Sequence, residues 1–116
     1  MPDPQAAKIL RLHFSESHRY QGKPLHEAIL VKCRELKIAG ATVFRGLEGY
    51  GATAEMHKAH LVHHDRPIVM NIVDSAEKLA PLIPVVEEMM DTGLWAMSEV
   101  RVIRVQKSHV PKNAPA

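Results

Sequence analysis

Between Lys8 and Phe14 the chain alternates, with Leu10, Leu12 and Phe14 on one parity and Ile9, Arg11 and His13 on the other. Successive strand residues point to opposite faces of a sheet, so this period of two predicts a strand whose even residues enter a core. The segments that follow must then supply the partners of that strand and the layer that covers it. The rest of the chain is constrained by how its period changes.

Ser15 to Lys23 is polar and predicts a loop, and Pro24 suits the first position of a helix, where its missing N–H is not needed. From there Leu25, Ala28, Ile29, Cys33 and Leu36 recur at helical spacing, predicting a helix to about Ile38 with Gly40 at its exit. Ala41 to Gly49 predicts a second strand. Met56 to His64 is histidine-rich and reads equally as a strand or as the arm of a long loop. Ile68 to Val73 is β-branched and predicts a third strand. Ser75 is placed as an N-cap, with Glu77 in the first turn, for a helix whose apolar face carries Leu79, Leu82, Ile83, Val86 and Met90. Pro81 and Pro84 predict a distorted first turn or a kink. Gly93 is expected to end that helix, with Leu94 as the apolar partner of a Schellman-type cap. Val100 to Val105 predicts the last strand.

Strand, helix, strand, strand, helix, strand is the order of a ferredoxin-like βαββαβ α+β fold, an antiparallel four-stranded sheet with both helices on one face. Residues 8–106 are expected to form that domain, with 1–7 and 107–116 as disordered tails. The strands are apolar on both parities at Val43–Phe44, Ile68–Val73 and Val102–Val105. A sheet with one wet face alternates more cleanly. The second face is therefore expected to be buried against copies of the same chain.

The 116 residues suit one domain, and a formal charge of +2 gives no argument for nucleic acid or an anionic membrane. Eight histidines make surface charge sensitive to pH below neutrality. The single cysteine, Cys33, excludes an internal disulfide and, on the apolar stripe, is expected to be a core residue. No signal peptide and no spanning apolar run are seen, so direct membrane insertion is not expected and a cytoplasmic location is.

Several of these segments together resemble the uncharacterised PII-like family, a domain of unknown function often associated with CrcB-type fluoride channels. The resemblance is carried by Ser15-Glu16, Tyr20, Gly22-Lys23-Pro24-Leu25, Gly40-Ala41-Thr42-Val43, Arg45-Gly46, Gly49-Tyr50-Gly51 and Ile72-Val73-Asp74. It implies a homotrimer related to PII nitrogen-regulatory signalling proteins, which bind nucleotides in clefts between subunits and regulate transporters or enzymes. Gly49-Tyr50-Gly51 is similar to the Gly-aromatic-Gly that begins the PII signalling loop, and Thr92-Gly93 to the Thr-Gly that opens its phosphate-contacting loop. There the likeness stops: PII proteins continue Gly-Asp-Gly-Lys, whereas this chain reads Leu94-Trp95-Ala96-Met97-Ser98-Glu99. Arg101 and Arg104, expected on the last strand, are similar in position to phosphate-contacting arginines.

The expected function is thus a signalling protein that binds a small anionic or nucleotide-like ligand, an adenine nucleotide among the candidates, and regulates a transporter or channel partner. The leading contact residues are Gly49, Tyr50, Gly51, Thr92, Arg101 and Arg104. Glu16, Arg19 and Lys23 stand behind them, in a polar segment that reads equally as a solvated loop or as the wall of an intersubunit cleft. His57, His60, His63 and His64 carry an alternative, a metal-binding or metal-tolerance trimer, although their spacing matches no compact zinc motif. No spacing sets a base beside a nucleophile, so catalysis is not expected.

Overall fold

The computed structural model describes residues 3–50 and 65–105. In chain order the elements are β1 (Gln5–Ser15), β2 (Arg19–Tyr20), β3 (Lys23–Pro24), α1 (Leu25–Glu35), β4 (Gly40–Arg45), β5 (Pro67–Asp74), α2 (Ala76–Leu79), α3 (Leu82–Met89) and β6 (Leu94–Val102). The four long strands form one antiparallel sheet in the order β4-β5-β1-β6, and β2 pairs with β3 apart from it. With α2 and α3 counted as one broken helix, this is the expected ferredoxin-like α+β arrangement.

The parity of β1 decides where the core lies. Leu10, Leu12 and Phe14 are buried, register against Met97, Trp95, Met70 and their neighbours, and close on Leu25, Ile29, Leu82 and Val86 of the helices. Ile68, Met70 and Ile72 continue the same layer on β5. The opposite parity, with Ile9, Val69 and Val73, has no helix over it among the described residues, and Phe44 and Leu94 stand exposed there. This is the second apolar face that the sequence pattern required.

Element ends differ from the sequence expectation for local reasons. β1 begins at Gln5 rather than Lys8, because Gln5, Ala6 and Ala7 pair with Val102, Arg101 and Val100; those three residues are strand, not tail. β6 runs Leu94–Val102 rather than Val100–Val105: its first four residues ladder with Leu10 to His13, and the pairing ends where β1 does. Arg104 therefore lies beyond the last strand, while Arg101 is on it. Within the expected polar loop, β2 and β3 make a small hairpin. Its two linking residues, Gln21 and Gly22, have φ of 51° and 83°, the signature of a type I′ turn.

The helix ends also move. α1 stops at Glu35, and Lys37 takes the left-handed position at φ 57°. The N–H of Lys37 bonds to Arg34 O at 3.1 Å and that of Ile38 to Cys33 O at 3.0 Å, a Schellman motif built without glycine. Gly40 is instead the first residue of β4, and that strand ends at Arg45 rather than Gly49. Ser75 caps α2 as expected, its Oγ accepting from Lys78 N at 3.2 Å. The second helix breaks at Ala80–Pro81, while Pro84 is carried in the first turn of α3; Met89 is buried in the core and Met90 packs half-buried against it. α3 ends at Met89 with Met90 extended, so Gly93 and Leu94 form no helix cap; Gly93 is the turn into β6.

No helix among the described residues is long and apolar enough to cross a membrane.

Candidate functional site

Antiparallel pairing brings the end of β1, the end of β4, and the starts of β5 and β6 to one end of the sheet. β4 leaves the sheet there at Arg45 and β5 re-enters at Pro67, and both are tied to the turn after β1. Glu16 Oε2 pairs with Arg45 Nη2 at 2.7 Å. Glu16 N donates to Arg66 O at 2.8 Å, and Gly46 N to Pro67 O at 2.7 Å. Ser15, only 2% exposed, donates from Oγ to Asp65 Oδ1, which also accepts from Ser17 N at 3.3 Å. Three chain segments distant in sequence are thus locked into one knot of alternating charge.

The glycines serve that knot by closeness. Neither Gly46 nor Gly49 has a positive φ. A Cβ on Gly46 would stand 2.9 Å from Pro67 Cγ, and one on Gly49 3.3 Å from it. Both positions are close approaches of the chain to the Pro67 ring, which leave no room for a side chain of their own. Tyr50 is 93% exposed and Leu47 is exposed beside it, so the aromatic ring stands clear of the other described residues.

Gly93 brings α3 round to the same end. Its φ is 137°, and a Cβ there would lie 2.5 Å from His13 O. The half-buried Thr92 is carried to the end of β1 by that contact. Next to it Trp95 Nε1 donates to Met90 Sδ at 3.3 Å, which fixes the first residues of β6. Across the end, Arg19 and Lys23 project from the exposed β2–β3 hairpin, whose base is held by Leu25 N donating to His18 O at 2.9 Å.

Of the residues singled out from the sequence, Glu16, Gly49, Tyr50 and Thr92 thus occur at one end of the sheet, with Arg19 and Lys23 on the hairpin that follows β1. Arg101 does not join them: it pairs with Ala6, seven residues along β6 from Leu94, a separation of roughly 23 Å at the rise of a strand. Arg104 lies farther along the chain in the same direction. Gly51, His57, His60, His63, His64 and the whole Met56–His64 segment lie outside the described residues. Among the described residues no group of three or more metal-ligating side chains comes together.

Sequence reasoning missed Arg45, Asp65 and Pro67 as parts of this site. Arg45 is separated from Glu16 by the β2–β3 hairpin, α1 and the length of β4, and only the sheet topology joins them. Cys33 is buried in the core, and that burial pushes its thiol up to about 11 and favours the neutral form.

Residues 7–102 match the model of the DUF190 family, described as Uncharacterized ACR. A UPF0166 protein of Aquifex aeolicus is 35% identical over 98 residues, covering 83% of this chain and 92% of that one. Among solved structures, CPII of Thiomonas intermedia bound to ADP, AMP and acetate has a TM-score of 0.59 at 18% identity, over 88% of this chain and 93% of that one. A protein of Thermus thermophilus described as PII-like has a TM-score of 0.61 at 15% identity, over 87% and 93%. These structures share the fold.

Proposed function

The chain belongs to the DUF190 family, and from that premise we propose that it is a PII-like regulatory protein that binds an adenine nucleotide or similar small anionic ligand between subunits of a homotrimer. The observation that carries this reading is the knot formed by Glu16, Arg45, Asp65 and Pro67. It fixes both ends of the β4–β5 connection to the end of β1, where Tyr50 and Thr92 also lie. A ligand bound at that point touches the base of the connection rather than its middle, so small shifts there are passed to whatever the connection presents to a partner.

The residues have separable roles. Tyr50, exposed at the end of the described segment, offers a face for stacking against a base. Thr92 and the amides around Gly93 offer hydroxyl and N–H donors to phosphate oxygens, and Arg19 and Lys23 offer charge. Arg45 is held by Glu16, so a phosphate that takes Arg45 must displace a carboxylate, which couples binding to the knot. Arg101 and Arg104 contribute to the same ligand only from a neighbouring copy, because they lie at the opposite end of their own sheet. The uncovered apolar face of the sheet supplies the surface for that assembly, at roughly 25 cal/mol per Å² of apolar area removed from water.

CPII, whose fold this chain shares, was solved with ADP and AMP, which supports testing adenine nucleotides first. No reaction is assigned; the protein binds and signals from the cytoplasm to a transporter or channel. Isothermal titration with ADP, AMP and cyclic nucleotides tests the ligand class: saturable heat from one of them supports the reading, and silence from all of them removes it.

A further inference from the structure

The open face of the sheet carries a polar row that the proposed nucleotide site does not use. In register, Ala96 of β6, Arg11 of β1, Asn71 of β5 and Thr42 of β4 lie side by side across all four strands. The rows that flank it are mixed, Ser98, Ile9 and Val73 on one side and Leu94, His13, Val69 and Phe44 on the other. The half-buried Arg11 gives one N–H from Nη1 to Ser98 Oγ at 3.3 Å, which steadies the guanidinium and leaves its other donors for use. Asn71 Oδ1 is buried with no hydrogen-bond partner, so the amide offers its Nδ2 hydrogens rather than an acceptor on the open side.

No Asp or Glu lies on this parity of β1, β4, β5 or β6. The row is therefore a set of donors with one permanent positive charge and, among the described strand residues of this face, no counter-charge. Neighbouring strands are about 4.8 Å apart, so a guanidinium on β1 and an amide on β5 reach the oxygens of one tetrahedral anion. We propose that this face holds a small oxyanion of the phosphate or sulfate class between Arg11 and Asn71, with Thr42 as a further donor.

The site becomes strongest if the face is covered by another copy, a part of the inference that rests on the assembly proposed above. Covering removes water from Arg11, and its own face supplies no carboxylate in exchange. The oxyanion provides the missing charge, so it binds the assembled form better than the free protomer and stabilises assembly by linkage.

The test is thermal unfolding of the full-length chain across a series of inorganic phosphate concentrations at constant ionic strength, with sedimentation velocity on the same samples. Parent protein is expected to show a saturating rise in Tm. Arg11→Met, folded by circular dichroism and still responsive to ADP, is expected to show none. Arg11→Lys keeps the charge without the fork and is expected to need roughly tenfold more phosphate. Lys23→Met is expected to respond as the parent does. The proposal is overturned by a flat parent curve, by an Arg11→Met response equal to the parent's, or by loss of the response in Lys23→Met, which would put the phosphate at the nucleotide site. A chain that sediments as a monomer yet shows the Arg11-dependent rise removes the trimer and supports the anion site.

Discussion

Glu16 Oε2 and Arg45 Nη2 stand 2.7 Å apart, tying the turn after β1 to the last residue of β4. The arginine side chain is 59% exposed and the glutamate 22%, so water screens the pair and its direct worth is below about 1 kcal/mol. Its importance is positional, because it sets where β4 leaves the sheet. Arg45→Met is therefore expected to lower stability by less than about 1 kcal/mol in urea unfolding while weakening ADP binding at least several-fold in titration. A large stability loss with unchanged binding would show that the pair is only a structural strut.

Gly93→Ala is expected to be among the most damaging single-methyl changes in the chain. The new Cβ meets the His13 carbonyl at 2.5 Å, a backbone atom that cannot turn aside, at a φ of 137°. The cost is about 3 kcal/mol from strain and displacement together. Gly46→Ala meets only the Pro67 ring, at 2.9 Å, and is expected to cost about 1–2 kcal/mol. Denaturant midpoints of the two variants measure the order.

Lys37 closes α1 in the left-handed region without glycine, so Lys37→Gly is expected to stabilise by about 0.5–1 kcal/mol. Lys37→Val, β-branched at the same φ, is expected to destabilise. Thermal melts that fail to separate the two would remove the assignment of strain at this position.

Cys33 gives a pH dependence with a defined sign. Burial raises its folded-state value to about 11 from an ordinary 9.0, so the unfolded chain loses the thiol proton first as pH rises. The neutral buried thiol contributes its full stability below pH 9 and loses it progressively between pH 9 and about 11. Cys33→Ala is expected to flatten that part of the stability curve. Parallel pH curves for parent and variant would contradict it.

The sequence made the core legible because Leu10, Leu12 and Phe14 keep a strict alternation and because a side chain such as Ser75 caps by local geometry alone. β6 was half missed for the opposite reason. It is an edge strand whose Leu94 and Met97 are both exposed, so no buried parity marks its first residues. The left-handed Lys37 carries no glycine signal. The knot was illegible because Glu16, Arg45 and Asp65 meet only through strand order, and Arg101 read as a partner of Thr92 because the length of β6 was not visible.

Sedimentation velocity of the protein with ADP, followed at a nucleotide wavelength and at a protein wavelength together, tests the central claim most directly. The proposed assembly predicts that nucleotide absorbance moves with a single species of three times the protomer mass, and that Arg45→Met leaves the species intact while freeing much of the nucleotide. A protomer-sized boundary with all the ADP left behind it would contradict both the assembly and the site.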